Sequence, residues 1–170
     1  YMSVASKPKV VAVSGVKNSG KTTLITAMLP HFHRAGVQVA VIKHDGHTLP
    51  PDPPNTDTGR YLQAGALGAA IYDGETTKVI WRQTPDLPGL LELFPQADLI
   101  LLEGGKHSPW PKLELVRASN SAQSVCDPTT LLALVTDTDL CLPGIPTLPL
   151  HDPAGVADFL MKYLERGRST

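Results

Sequence analysis

One pattern near the beginning of the chain constrains its fold more than any other feature. The pattern G-x-x-x-x-G-K-[ST] is matched by Gly15-Val16-Lys17-Asn18-Ser19-Gly20-Lys21-Thr22. An apolar run, Val10–Val13, precedes these residues, and a helix-like run, Thr23–Leu29, follows them. Where this pattern lies between a strand and a helix, it forms a loop that binds phosphate. The sequence therefore predicts a phosphate-binding loop, and a chance turn before a helix is the alternative.

Each residue type in this loop has a physical role. Gly15 and Gly20 lack a Cβ, so the backbone can fold around an anion with its N–H groups pointing inward. The helix that follows offers free N–H groups and the positive end of its dipole. Lys21 would place a full charge near the β- and γ-phosphates, and Thr22 would offer its hydroxyl to Mg²⁺.

Composition limits the class of protein to which the chain can belong. Its 170 residues are 42% hydrophobic and 18% charged, which favours a single globular domain. The formal net charge is -1 and no Lys/Arg block is present, so nothing supports a nucleic-acid-binding surface. No apolar stretch is long enough to predict a membrane span, and residues 1–9 lack the apolar region of a secretory signal. Cys126 and Cys141 are interpreted as ordinary thiols of a cytoplasmic protein, with a redox pair as the alternative.

Strand-like and helix-like segments alternate along the chain, which predicts an α/β fold with a doubly wound, mainly parallel sheet. Pro30 is expected to kink or end the first helix early. Leu49–Asn55 is rich in proline and predicts an exposed loop. The predicted strands are Val10–Ser14, Val37–Ile42, Ala69–Tyr72, Lys78–Arg82, Asp98–Leu102, Leu113–Arg117 and Leu131–Val135, and the predicted helices are Lys21–Ala35, Asp57–Ala66, Asp86–Phe94 and Pro153–Arg166.

The domain organisation follows from these segments. Residues 10–166 are predicted to form a single P-loop nucleotide-binding domain. Residues 1–9 are predicted to be disordered, with Tyr1 before Met2 interpreted as a remnant of the expression vector, and residues 167–170 to be a tail.

Acidic side chains beyond strand ends are candidates for holding a metal ion. Glu103 ends the apolar strand Asp98–Leu102, and Mg²⁺ prefers oxygen ligands while keeping several waters. Thr22 and one or two carboxylates would therefore suffice, and a solvated glutamate in a turn is the alternative for Glu103. Asp57 is either a second magnesium carboxylate or a helix cap.

Other polar residues also follow predicted strands. Lys43 or His44 is expected to face a phosphate or an anionic substrate, with a metal-ligand role for His44 and His47 as the weaker alternative. His107 is a candidate to join them, although a surface role for each histidine stays open. Asp137 would accept from the N1 and N2 donors of guanine, with a polar turn as the alternative. The Asn-Lys-x-Asp pattern of Ras-like GTPases is absent, so spacing does not predict a guanine preference.

Five motifs in a fixed order resemble the MobB family, the molybdopterin-guanine dinucleotide biosynthesis adapter proteins. The resemblance covers roughly residues 9 to 165. The motifs are the phosphate-binding loop extended to Leu24, Val41-Ile42-Lys43-His44-Asp45-Gly46-His47, Asp57-Thr58-x-Arg60 leading to Ala64-Gly65-Ala66, Leu101-Leu102-Glu103-Gly104-Gly105-Lys106-His107, and Pro111-Lys112-Leu113-Glu114-Leu115-Val116-Arg117.

The resemblance implies a P-loop NTPase of the dethiobiotin-synthetase-like group that binds GTP with Mg²⁺ and hydrolyses it weakly. It also implies a homodimer that acts with MobA, which joins GMP to molybdopterin, and it admits molybdoenzyme maturation factors as partners and a molybdopterin-type cofactor as ligand. The phosphate site would comprise Gly15, Lys17, Asn18, Ser19, Gly20, Lys21, Thr22 and Thr23, with Thr22, Glu103 and Asp57 serving Mg²⁺ and Lys43, His44, Lys106 and His107 lining a neighbouring anion or cofactor surface.

One departure and one alternative accompany this resemblance. The insert Leu49–Asn55 is unusually proline-rich, which leaves the geometry between His47 and Asp57 open. A small-molecule kinase or an ATP-dependent ligase of the same fold group is the alternative function. In that case Lys43 and His44 would bind an anionic acceptor, and Asp45 would activate it.

Overall fold

The computed structural model describes residues 7–167, which form two compact units. One unit comprises the described residues up to His44 and from Leu93 onward, and the other is Asp45–Glu92. Residues 1–6 and 168–170, with most of the predicted disordered N-terminus and tail, lie outside the described residues. The single domain over residues 10–166 stays a prediction.

The regular elements alternate as the sequence predicts. The strands of residues 7–167 are β1 (Lys9–Ser14), β2 (Val39–Lys43), β3 (Gly68–Tyr72), β4 (Thr77–Trp81), β5 (Leu99–Glu103), β6 (Lys112–Val116), β7 (Leu131–Thr136) and β8 (Thr147–Pro149). The α-helices of the same residues are α1 (Lys21–Arg34), α2 (Asp57–Gln63), α3 (Leu87–Leu91) and α4 (Pro153–Arg166), and a 3-10 turn covers Pro128–Thr130. Among these residues no helix is both long and apolar enough to cross a membrane.

Six strands form one sheet in the order β2-β5-β1-β6-β7-β8, and every neighbouring pair is parallel. The predicted α/β fold with a mainly parallel sheet is therefore confirmed. Helices α1 and α4 bury Met28, Phe32 and Leu160 against a core that includes Val11 and Leu101. β1 lies between β5 and β6, so the loop after β1 is at the centre of the sheet. Ligands of open α/β sheets bind at such a position, beyond the carboxyl ends of the strands.

Helix α1 continues through Pro30 and ends at Arg34. Of the two predicted effects of Pro30, the early end of the helix is therefore wrong, and a kink stays a prediction. Proline removes one backbone hydrogen bond from a helix interior. However, Met28 and Phe32 are fully buried on either side of Pro30, and their packing holds the last turn in place. Strand β8 was not predicted, because its three residues include a proline and it is recognisable only from its pairing with β7.

The burial of strand β6 does not follow the polarity of its sequence. Its sequence alternates charged and apolar residues, which is typical of a strand with one solvent face, but all five residues are buried. Leu113 and Leu115 join the apolar core, and Lys112 and Glu114 point to the opposite face. Both charged side chains are satisfied there by hydrogen bonds, which is the condition for burying a charge.

The unit Asp45–Glu92 contains α2, α3 and the antiparallel hairpin β3-β4. Leu49–Pro53 has no regular structure, as the proline-rich sequence predicts, and a turn follows. Thr56 caps α2 by accepting from the Gly59 amide at 3.1 Å, and α2 ends at Gln63, before Gly65 with φ 105°. Positive φ at this position is typical of a helix C-terminus. The helix is therefore three residues shorter than predicted.

The two thiols are expected to differ sharply in reactivity. Cys126 is buried, and burial together with nearby Glu114 raises the pKa of its thiol to about 12, whereas Cys141 is exposed. The thiolate is the reactive form, so Cys126 should be inert at pH 8. We expect one thiol to react with a chromogenic thiol reagent in the folded protein and both to react after denaturation. The folded Cys141→Ser variant should be unreactive, and rapid labelling of that variant would contradict the prediction.

Candidate nucleotide-binding site

The loop between β1 and α1 has the geometry of a phosphate-binding loop. Gly15 has φ 146°, and a Cβ there would lie 2.7 Å from the Leu115 carbonyl oxygen, so a larger residue does not fit against β6. Gly20, with φ 95°, is the N-cap of α1 and supplies no side chain to the cap. The first turn of α1 also contains no acidic residue. The N–H groups at this helix terminus are therefore available to an anion.

Lys21 folds back over the loop. Its Nζ donates hydrogen bonds to the Val16 carbonyl oxygen at 2.8 Å and to the Gly15 carbonyl oxygen at 3.3 Å. Burial lowers the pKa of Lys21, Glu103 opposes this shift, and Lys106 and Lys43 add to it. A bound anion would favour the charged form of Lys21 and so offset the cost of burial.

Thr22 and Glu103 are brought together from positions 81 residues apart. The Thr22 hydroxyl donates to Glu103 Oε1 at 2.6 Å, and Lys43 Nζ lies 3.8 Å from the same oxygen. The described residues contain no group of three or more His, Cys, Asp or Glu side chains placed to hold a metal ion. A hydroxyl beside one carboxylate nevertheless fits Mg²⁺, because this ion takes few protein oxygens and keeps water and phosphate as its other ligands.

A cleft of about 440 Å³ opens beside this pair. Four cationic side chains and one carboxylate line it, so its field favours an anionic ligand. A larger cavity of about 720 Å³, at the start of β2 between Gln38 and Ala97, is lined by no charged side chain, so its volume does not indicate a phosphate site. The residues that line the cleft are Lys17, Asn18, Gly20, Lys21, Thr22, Thr23, Lys43, Glu103 and Arg117.

The remaining predicted residues occupy different positions. Ser19 is fully buried, and no hydrogen-bond partner is present for its Oγ. His44 directly follows β2 and is exposed, as are Lys106 and His107 beyond β5. These residues thus follow strands whose carboxyl ends lie at the same edge of the sheet. Their contact with an anion or cofactor stays a prediction.

Asp137 and Asp57 are placed as follows. Asp137 follows β7, where its Oδ1 accepts from the Ala118 amide at 2.8 Å and its Oδ2 lies 3.8 Å from His151 Nε2. Asp57 is the first residue of α2 in the other unit. Because Thr56 caps that helix, the helix-cap alternative for Asp57 is wrong, and its magnesium role stays a prediction.

Sequence reasoning missed two residues of the site. Arg117, the residue after β6, lines the cleft, and Asn120 donates a hydrogen bond from Nδ2 to the carbonyl oxygen of Lys17 within the phosphate-binding loop. The rule that selected Glu103, a polar residue beyond a strand end, would also have selected Arg117. No local signal indicates Asn120, because its partner is 103 residues away in the sequence.

The all-parallel six-stranded sheet with a phosphate-binding loop between β1 and α1 defines the fold of a P-loop nucleoside triphosphatase. Comparison with known proteins narrows this class. The family model described as "Molybdopterin guanine dinucleotide synthesis protein B" matches residues 10–137. The chain belongs to this family, MobB.

Individual relatives agree with this assignment. A Bacillus subtilis (strain 168) protein named as a probable molybdopterin-guanine dinucleotide biosynthesis adapter protein is 31% identical over 163 residues, which cover 92% of this chain and 93% of the relative. The Escherichia coli (strain K12) adapter protein of the same name is 28% identical over 165 residues, or 92% and 93% of the two chains. The crystal structure of Bacillus subtilis MobB superposes with a TM-score of 0.72 at 28% identity, covering 91% of this chain and 96% of that one.

Proposed function

We propose that this protein is a GTP-binding adapter with slow GTPase activity that acts with MobA in the biosynthesis of molybdopterin-guanine dinucleotide. The names of the two relatives that it matches over 93% of their length support the biosynthetic role. The observation that carries nucleotide binding is the arrangement of Lys21, Thr22 and Glu103 around an open helix N-terminus. Each of these groups is of the type that a nucleoside triphosphate with Mg²⁺ requires.

The cleft suits phosphate binding better than rapid hydrolysis. Lys17, Lys21 and Lys43 can neutralise phosphate charge. Thr22 and Glu103 would hold Mg²⁺, which supplies further stabilisation of the negative charge that develops in the reaction. Hydrolysis also needs a residue that orients the attacking water. The carboxylate that lines the cleft, Glu103, already accepts from Thr22 and pairs with Lys43, so a slow reaction is the expected outcome.

The proposed ligands and partners extend beyond the phosphates. Lys43, His44, Lys106 and His107 would form a surface for a molybdopterin-type cofactor, and MobA and molybdoenzyme maturation factors are the proposed partners in the cytoplasm. A homodimer is proposed as well. Exposed apolar side chains on the β3-β4 hairpin, among them Tyr72 and Trp81, support self-association, and the mass of the protein in solution tests it.

Guanine selectivity is assigned to Asp137. Its Oδ1 is occupied by the Ala118 amide, but a carboxylate has about four lone-pair sites and can still accept from the N1 and N2 donors of guanine. Calorimetry with Mg²⁺ should show GTP binding more tightly than ATP by about tenfold or more, which corresponds to one charge-assisted hydrogen bond. Asp137→Asn should weaken GTP binding and leave ATP binding unchanged.

The matched control for this experiment is Asp139→Asn, a charge removal two residues further along the same loop. Equal affinities of the unmodified protein for GTP and ATP would contradict the proposed GTP specificity. If Asp137→Asn lowers the affinity for GTP and for ATP equally, Asp137 supports the structure of the loop and does not contact the base.

A further inference from the structure

The segment after β6, residues 117–126, touches the phosphate site at two points. Arg117 lines the cleft, and Asn120 donates from Nδ2 to the Lys17 carbonyl oxygen. A tight turn links these two residues, because the amides of Asn120 and Ser121 donate to the Arg117 carbonyl oxygen at 3.1 and 3.0 Å. Movement of one contact therefore moves the other. We call residues 117–126 the β6 segment.

Buried Glu114 anchors the far end of the β6 segment. Its side chain is fully buried on β6, where Oε1 accepts from the Val125 and Cys126 amides at 2.6 and 3.1 Å and Oε2 accepts from the Ser124 hydroxyl at 2.6 Å. A buried carboxylate is costly unless hydrogen bonds replace its hydration. All three bonds come from one short stretch of chain, so they are kept only while this stretch keeps its position.

The beginning of the β6 segment is held as well. The Ala118 amide donates to Asp137 Oδ1 at 2.8 Å, so the backbone next to Arg117 is tied to the end of β7. The segment is thus fixed at residue 118 and at residues 124–126. Arg117 directly precedes the first of these points, and Asn120 lies between them.

We propose that two residues of the β6 segment belong to the nucleotide site. Arg117 contacts the phosphates, and Asn120, together with Glu114 on β6, is a positioning residue that sets the shape of the phosphate-binding loop. This inference rests on the proposed nucleotide binding. It adds a further phosphate ligand, and it adds two residues that act through the backbone rather than on the nucleotide.

The contact of Asn120 has a geometrical consequence for the loop. A trans peptide unit is planar, and its C=O and N–H bonds point in opposite directions. Because Asn120 holds the Lys17 carbonyl on one side, the Asn18 amide of the same peptide unit points away from Asn120. Asn18 has φ 62°, a left-handed conformation that is uncommon for residues other than glycine. The bond from Asn120 stabilises this conformation.

Arg117 differs in kind from the lysines of the cleft. Its guanidinium is planar and can donate two parallel hydrogen bonds to a phosphate, whereas an ammonium group acts as a point charge. Loss of Arg117 should therefore reduce both affinity and the dependence of affinity on salt. Loss of Asn120 should reduce affinity alone, because no charge is removed.

Inorganic triphosphate with Mg²⁺ is the probe for this inference, and GTP is measured in parallel by calorimetry at several salt concentrations. We expect Arg117→Ala to weaken binding of both ligands about tenfold or more and to flatten the salt dependence, with partial recovery in Arg117→Lys. Asn120→Ala should weaken both about fivefold with the salt dependence unchanged. Exposed Gln123→Ala, in the same segment, is the matched control and should change neither.

Glu114 is tested through the same readouts. Glu114→Gln replaces one of the two acceptor oxygens of the carboxylate by an NH2 donor. Ser124→Ala removes one donor and leaves the carboxylate in place. The second variant therefore remains informative if the first fails to fold. Each folded variant should weaken triphosphate binding severalfold without changing its salt dependence.

The outcomes separate this inference from the proposed function. If these variants weaken triphosphate binding, and the unmodified protein does not prefer GTP over ATP, the inference is supported and GTP specificity is contradicted. Binding that is unaffected by Arg117→Ala and Asn120→Ala would overturn the inference and leave the proposed function intact. No binding of triphosphate or GTP by the unmodified protein would overturn both.

Discussion

Lys21→Ala is expected to abolish measurable nucleotide binding. Lys21 Nζ lies over the phosphate-binding loop with two backbone carbonyl oxygens as its partners, at the N-terminus of α1. A bound phosphate would add charge-assisted hydrogen bonds to this ammonium group. Each such bond contributes about 1.5–3 kcal/mol, so the dissociation constant should rise about 100-fold or more. Calorimetric titration of GTP in the presence of Mg²⁺ measures the loss.

A charge-matched control separates the role of Lys21 from the net charge of the protein. Lys162 is exposed on α4 and does not line the cleft, so Lys162→Ala should bind GTP as the unmodified protein does. Thermal unfolding in the absence of nucleotide confirms that both variants are folded. Undiminished GTP binding by folded Lys21→Ala would show that the loop is not the phosphate site.

Glu103→Gln is expected to slow GTP hydrolysis about 100-fold while weakening GTP binding less than tenfold, because electrostatic stabilisation of developing charge is a large part of such catalysis. The amide oxygen can still accept the hydrogen bond from Thr22, so the local structure should persist. The negative charge that would hold Mg²⁺ and that pairs with Lys43 is removed. Phosphate release under single-turnover conditions and calorimetry together measure the two effects.

Asp158→Asn, on the exposed face of α4, is the control for a general loss of negative charge and should change neither quantity. Raising the Mg²⁺ concentration should partly restore hydrolysis in Glu103→Gln, since weaker metal binding is the cause. The reverse pattern, in which binding falls more than hydrolysis of the bound nucleotide, would remove Glu103 from the magnesium site.

Parts of the fold could be predicted because their signals are local. The loop pattern depends on eight adjacent residues, and the terminal helix α4 occurs at its predicted bounds, Pro153–Arg166, because its apolar residues recur at helical spacing. The motif set that resembles MobB correctly indicated the family. Helix α1 shows the limit of local rules. Pro30 was expected to kink it or end it early, but the helix continues to Arg34, with Met28 and Phe32 buried on either side of the proline.

Strand β6 shows a second limit of local rules. Alternating polarity in a sequence does not distinguish a solvent-exposed face from a buried face whose charges are hydrogen-bonded. Lys112 and Glu114 lie on a buried face. Backbone carbonyls of the loop before β6 accept from Lys112, and backbone amides of the loop after β6 donate to Glu114. Only the positions of those loops reveal which of the two cases applies.

The sequence by itself determined the phosphate-binding loop, the alternation of strands and helices, and the family, because each of these depends on residue types at short or fixed spacing. Tertiary structure decided which distant residues meet that loop. The pairing of Thr22 with Glu103 and the contact of Asn120 with Lys17 join residues 81 and 103 positions apart. Both depend on the placement of β1 between β5 and β6, and no periodicity along the chain encodes that strand order.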